Sequence, residues 1–313
     1  MLSTIRPLTV ILAAGALAAM TAGGAEAATG WQPEKVPVAS GDILAMTRLT
    51  SHVTWAAGLT ATTSDDGGTT LSPVVLAKDD RTGTGWQRVV TPADGVESRI
   101  NAISAHGADD VWVVGDNQND GPGPLGTPVL AEHWNGHSWK IASVPVDPNV
   151  SSANLLGVST LSPTDAWAVG TTQARRGDQD IYNTIIEHWN GRAWQAVKLP
   201  VDAGEANLFS ITASGPNDVW AAGSLNRQPL VLHYDGKTWS QAPSLPTTPD
   251  EGEFNTVLAN NPHDVWAAGD VGAASGPLVE HFDGHSWTRV TAPGAGEIFA
   301  TAQTPGGVAF VGY

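Results

Sequence analysis

Short apolar runs separated by glycine- and proline-rich breaks fill most of this 313-residue chain. Residues 100–144 show the pattern most clearly. Residues 100–105 (INAISA) alternate apolar with small or polar positions, as a strand with one buried face does. Residues 111–115 (VWVVG) form a nearly continuous apolar run, expected of a strand covered on both faces. Residues 128–134 (PVLAEHW) and 138–144 (SWKIASV) supply two further strands, with Asn135-Gly136 between them. Asn-Gly at such a place predicts a hairpin, and a type I′ turn would put both residues at positive φ. Amphipathic helical periods are absent.

The same grammar repeats. The second-strand pattern reads DDVWVVG at 109–115, TDAWAVG at 164–170, NDVWAAG at 217–223 and HDVWAAG at 263–269. Its companion reads HWNGHSW at 133–139, HWNGRAW at 188–194, HYDGKTW at 233–239 and HFDGHSW at 281–287. The intervals from Trp112 to Trp167, Trp220 and Trp266 are 55, 53 and 46 residues. Four short strands per unit at this period predict an all-β protein, a β-propeller of four-stranded blades. A degenerate unit precedes the four, with Trp55 in the second-strand place and Trp86 in the fourth. A half unit follows them at 298–303 and 308–312. Gly30-Trp31-Gln32-Pro33 resembles an unpaired fourth strand. Five complete blades plus one composite of the two chain ends give six as the favoured count, and closing the ring removes its open edges.

Most conspicuous residues recur once per unit, which favours structural roles. Asp110, Asp165, Asp218 and Asp264 stand at the turn before the strand tryptophan, where a short carboxylate accepts backbone N–H groups. His133, His188, His233 and His281 read as hydrogen-bonded structural histidines; the third strand lies too far out for them to converge on a metal. The paired tryptophans are expected to pack between units.

These repeats resemble those of secreted bacterial β-propellers in the broad kelch and galactose-oxidase-like group. The likeness departs in one respect: each unit keeps a single second-strand glycine (Gly115, Gly170, Gly223, Gly269) where kelch repeats carry a doublet. The tyrosine–cysteine cross-link that the resemblance implies for copper oxidases is excluded, since the chain has no cysteine. Residues 64–71 (SDDGGTTL) are similar to a sialidase-type Asp-box, with Leu71 in place of tryptophan. The arginine triad that a sialidase would require is missing.

Composition narrows the setting. Arg6, an apolar run at 8–20 and Ala25-Glu26-Ala27 form a signal-peptide layout, with cleavage expected after Ala27 and a single domain spanning 28–313. The apolar run is shorter than the ~20 residues of a spanning helix, so no membrane insertion is expected. A formal net charge of −16 argues against nucleic acid and anionic membranes and suits an exported, monomeric protein.

Binding residues are expected on long loops of one face: 59–73, 116–128, 171–183 and 270–276, with the connections 147–154 and 247–253. Asp116 and Asp120 fall in a stretch (DNQNDG) that approaches a calcium loop, but its twelfth position is Thr127, so no cofactor is expected. Arg175, Arg176, Asp178 and Asp180 form a charged cluster suited to an acidic sugar or a protein. No Ser/His/Asp order, HExxH helix or phosphate loop occurs. The reading is a secreted, non-enzymatic propeller binding a glycan or extracellular protein. The alternative is an extracellular carbohydrate-active hydrolase or lyase using loop carboxylates.

Overall fold

The computed structural model describes residues 34–64, 67–117, 128–176, 179–199, 206–243, 251–272, 276–292, 296–304 and 306–312. The predicted leader (1–27) and Trp31 lie outside them. Five four-stranded antiparallel meanders and one two-stranded sheet make six blades. Blade 1 contains β1 (Gly41–Arg48), β2 (Val53–Thr63), β3 (Thr69–Asp79) and β4 (Gln87–Val89). Blade 2 contains β5 (Ser98–Gly107), β6 (Asp110–Asn117), β7 (Val129–Trp134) and β8 (Trp139–Ile141). Blade 3 contains β9 (Ser152–Ser162), β10 (Asp165–Arg176), β11 (Gln179–Trp189) and β12 (Trp194–Ala196). Blade 4 contains β13 (Ala206–Gly215), β14 (Asp218–Leu225), β15 (Gln228–Tyr234) and β16 (Trp239–Gln241). Blade 5 contains β17 (Glu253–Asn261), β18 (Asp264–Asp270), β19 (Pro277–Phe282) and β20 (Trp287–Arg289). Blade 6 contributes β21 (Ile298–Thr304) and β22 (Gly307–Gly312). First strands pack on first strands in chain order, β1 on β5, β5 on β9, β9 on β13, β13 on β17 and β17 on β21, so they surround the axis.

The once-per-unit glycine has a geometric cause. Each first strand bulges near its start, and just before the bulge a backbone carbonyl lies close against the second-strand glycine. A Cβ at Gly115, Gly170, Gly223 or Gly269 would fall well inside contact distance of the carbonyl oxygen of Arg99, Asn154, Asn207 or Glu253. Gly58 meets Asp42 and Gly312 meets Glu297 in the same way, so the degenerate first unit and the terminal half unit obey the rule too.

Tryptophans weld the blades. The strand-2 ring of one blade meets the strand-4 ring of the next: Trp55 and Trp139 at 5.7 Å, Trp112 and Trp194 at 4.8 Å, Trp167 and Trp239 at 5.5 Å, Trp220 and Trp287 at 5.8 Å. In blade 6 Phe310, on the second strand, lies against Trp266 at 5.7 Å. Offset and edge-on aromatic pairs of this kind add about 0.5–1.5 kcal/mol each beyond area burial.

The predicted hairpins between third and fourth strands are present, but their turns are not type I′. Trp134 pairs with Trp139, leaving four residues in the loop. Asn135 Oδ1 accepts the N–H groups of His137 and Ser138 at 3.1 and 3.0 Å, and only Gly136 takes positive φ (87°). Capping two amides with one side chain removes the need for a left-handed asparagine. The type I′ geometry appears instead at Asn226 and Arg227 (φ 50° and 62°), between β14 and β15.

After each fourth strand the chain runs onto the following blade. Val144 and Val146 join Leu155, Ala166 and Ala168 of blade 3 in one cluster. Val36-Pro37-Val38 stands at the same distance after Trp31 as Val144-Pro145-Val146 does after Trp139. Val36 and Val38 pack with Ala56, Val74, Leu76 and Trp86 on the face of blade 1 turned away from blade 2. Glu34 fastens this segment, accepting from Lys78 Nζ and Trp86 Nε1, both at 2.7 Å. The amino-terminal segment thus lies where the tail of a preceding blade belongs, consistent with a composite sixth blade.

Candidate functional site

The recurring Asp and His side chains are spent on each other. His133, His188, His233 and His281 place Nε2 at 2.7, 2.9, 2.8 and 2.8 Å from Oδ1 of Asp110, Asp165, Asp218 and Asp264. Each imidazole also stacks on its strand tryptophan, with centroids 3.9–4.4 Å apart. The aspartates therefore hold histidine across the sheet, where backbone N–H partners were expected. Burial opposes ionisation of Asp218, but hydrogen bonds from His233, Ser214 and Trp220 outweigh it and hold the carboxyl below its usual 3.8. Among the described residues no group of three or more His, Asp or Glu is arranged to hold a metal. No helix among them is long and apolar enough to cross a membrane.

Around one end of the axis the residues facing the bulge glycines are Asp42, Arg99, Asn154, Asn207, Glu253 and Glu297. Charge there is uneven. Arg99 Nε binds Asp116 Oδ1 at 2.6 Å. On the far side, burial and then the neighbouring charges of Asp270 and Glu297 raise the pKa of Glu253. A cavity of about 270 Å³ opens beside this acidic sector, lined by Arg227, Glu251, Glu253 and Asp270.

The larger cavity, about 580 Å³, lies between blades 2 and 3. One wall is the tail of blade 2, with Pro145, Val146, Asp147, Asn149 and Val150. The other is the long β10–β11 hairpin, with Thr172, Ala174, Arg175, Asn183, Ile185 and Glu187. Strand alternation explains the second wall: Ile185 and Trp189 join the blade 2–3 cluster while Ile186 joins the blade 3–4 cluster, so Glu187 shares the cavity face. Ser151 N–H binds Gln173 O at 2.7 Å and ties the two walls together. Asp147 Oδ1 accepts from Asn149 N and Nδ2 at 2.9 and 2.8 Å, which lowers its pKa. Glu187 is 1% exposed and accepts no hydrogen bond from the described residues. Burial alone pushes its pKa up to about 8.

Two segments predicted as loops are strands. Residues 59–73 and 171–183 pair without interruption to Thr63↔Thr69 and Arg176↔Gln179. Arg175 sits near the tip of the second hairpin and lines the large cavity. The side chains of Arg176, Asp178 and Asp180 lie outside the described residues, as does Asp120. Asp116 is buried in β6, held by Arg99 and by Asn101 Nδ2 at 3.1 Å. Asn101 in turn reaches Leu155 O at 3.0 Å, so this group joins blade 2 to blade 3. Sequence reasoning does not single out Glu187, because its Glu-His-Trp context is shared with Glu132.

Two buried glutamates contribute a pH dependence to stability. Glu132 is raised to about 7 and Glu187 to about 8, from an ordinary 4.5. Between 4.5 and these values the folded protein binds protons that the unfolded chain has released, so stability falls as pH rises. Denaturant midpoints are expected to drop from pH 5 to pH 8.5. Glu187→Gln should flatten the curve by on the order of 4 kcal/mol, since each tenfold change in proton affinity is worth about 1.4 kcal/mol. A variant curve parallel to the parent's would show that Glu187 does not carry the effect.

No protein-family model matches the chain, and no curated protein matches it. Solved structures similar to it include YCF48 bound to D1 peptide, at 17% identity and TM-score 0.38, covering 84% of this chain and 85% of that one. A variant of the Aleuria aurantia lectin in complex with alpha-methyl-L-fucoside aligns at 11% identity and TM-score 0.49, covering 81% and 79%. YCF48 from Cyanidioschyzon merolae aligns at 13% and 0.40, covering 88% and 94%. These are β-propellers, and at such identities the likeness concerns the fold alone.

Proposed function

We propose that this protein is a secreted, non-enzymatic β-propeller that binds a glycan, with the cavity between blades 2 and 3 as its principal site. The cavity itself carries the reading. About 580 Å³ lies within the range of small-ligand sites, and its lining mixes aliphatic walls (Val146, Val150, Ile185) with carboxyl, amide and hydroxyl groups. A pyranose offers the matching surfaces, an apolar ring face and a rim of hydroxyls. A glycan array probed with the mature protein, with and without calcium, tests this. Binding without product formation, unaffected by a chelator, is the expected result. Failure of every glycan to bind while an extracellular protein is captured would move the site to a protein ligand.

One observation favours a second reading, an extracellular hydrolase or lyase. Glu187 and Asp147 line the same cavity with pKa values displaced in opposite directions, the division of labour that a general acid and its ionised partner need. Product formation on the same array, abolished by Glu187→Gln, would establish that reading in place of the first.

A further inference from the structure

Glu187 occupies a position that recurs in every complete blade. Leu76, Glu132, Glu187, Leu232 and Glu280 each precede the strand-3 residue opposite the strand-2 tryptophan. The apolar copies need no partner: Leu76 packs with Val36 and Val38, Leu232 with Val197 and Leu199. Glu132 Oε1 accepts Ala93 N–H at 2.8 Å, from the tail of blade 1, while its Oε2 has no partner among the described residues. Glu280 accepts from Arg289 Nη2 at 3.4 Å. Glu187 alone among these carboxyls has no donor among the described residues. In the tail beside it Val146 stands at the distance from Trp139 that Ala93 keeps from Trp86, yet its N–H makes no bond to Glu187. A buried carboxyl without a partner costs about 1–3 kcal/mol, and folds seldom retain one without a use for it.

The rest of the cavity indicates what that use is. The Thr172 hydroxyl already donates to Asn183 O at 3.4 Å, leaving lone pairs to offer. Asp147 adds a carboxylate. The lining holds two carboxyl groups, Asp147 and Glu187, against one cationic side chain, Arg175, and the chain's net charge of −16 favours a cation.

We propose that the cavity between blades 2 and 3 binds a glycan bearing a free amino group, its ammonium docked on Glu187 and its hydroxyls meeting Asp147, Asn183 and Thr172. This rests on the reading of the protein as a glycan binder. Arrival of the ammonium lets the carboxyl ionise and release its proton to solvent, forming a charge-assisted hydrogen bond. The charged groups that share the cavity are Asp147 and Arg175, and neither contributes to the displacement of Glu187, which comes from burial. Affinity accordingly peaks at a pH between the pKa of the sugar's amine and that of Glu187 and falls on either side. N-acetylation removes both the charge and the donors.

Calorimetric titration of the full chain with a glucosamine tetrasaccharide tests the proposal, with its N-acetylated form, a glucose tetrasaccharide and butylamine as comparators. The amino form is expected to bind at least about tenfold more tightly than the others, a difference of 1.4 kcal/mol or more. Titration at pH 5.5, where the sugar amines are protonated, in two buffers of different ionisation heat should show close to one proton released. Glu187→Gln, which keeps the shape of the protonated side chain, should lose both effects while folding normally by circular dichroism. Equal binding of acetylated or neutral glycans, untouched by Glu187→Gln, would overturn the amine assignment and leave the glycan reading standing. Silence from every glycan would remove both. Butylamine binding as tightly as the sugar would keep an amine site but overturn the glycan as its ligand.

Discussion

Gly223→Ala is expected to lower the melting temperature by about 6–12 °C, on the basis of about 3 kcal/mol of overpacking and about 2–4 °C per kcal/mol in a chain of this size. The added Cβ would meet the Asn207 carbonyl and the Leu208 Cα, all of them backbone atoms. No rotamer change relieves such a contact; β13 must move away from β14, and β13 also packs against the first strands on either side. The cost therefore spreads from one blade to the axis. Gly215→Ala in the same blade is the control, because nothing lies within 4 Å of its Cβ position. Thermal melts of the two variants separate close approach from generic loss of glycine. Similar melting temperatures for both would mean that the bulge adjusts freely and that the repeated glycine has another cause.

This glycine also shows how the fold was legible. A residue stamped once per unit at a fixed place after tryptophan reports a backbone constraint, and six copies of that constraint define six blades. The Asp–His–Trp set reads similarly, as a structural device repeated with the blade, although sequence misassigned the aspartate's partner. Aspartate offers its carboxylate to backbone and imidazole alike, and only the register Trp112↔His133 brings the second within reach. Residues 59–73 read as a loop because threonine, serine and glycine are common in turns, yet threonine is β-branched and here extends the ladder. The candidate site was the least legible part. Glu187 differs from Glu132 in lacking the backbone N–H that the preceding blade's tail gives Glu132, and that difference exists only once blades are stacked.

Deleting residues 31–38 is expected to lower the melting temperature further still, by about 8–16 °C for a loss of about 4 kcal/mol. Three contributions meet in the described part of this segment. Val36 and Val38 cover an apolar face of blade 1 that otherwise presents Ala56, Val74 and Leu76. Glu34 takes the indole hydrogen of Trp86, a fourth-strand ring only 6% exposed. It also pairs with Lys78, which lies in a partly buried setting and has its pKa raised chiefly by the Glu34 hydrogen bond. Removing Glu34 strands the Trp86 indole and leaves Lys78 only Asp80, at 3.4 Å, and hydrogen bonds to a charged group count for about 1.5–3 kcal/mol. Uncovering the apolar face adds an aggregation-prone surface to the loss of stability. The double variant Val36→Ser, Val38→Ser isolates the apolar part, and Glu34→Gln the polar part. Each is expected to fall between the parent and the deletion. A deletion that melts with the parent would show that this face of blade 1 is closed by something other than the amino-terminal segment, and the composite blade would have to be abandoned.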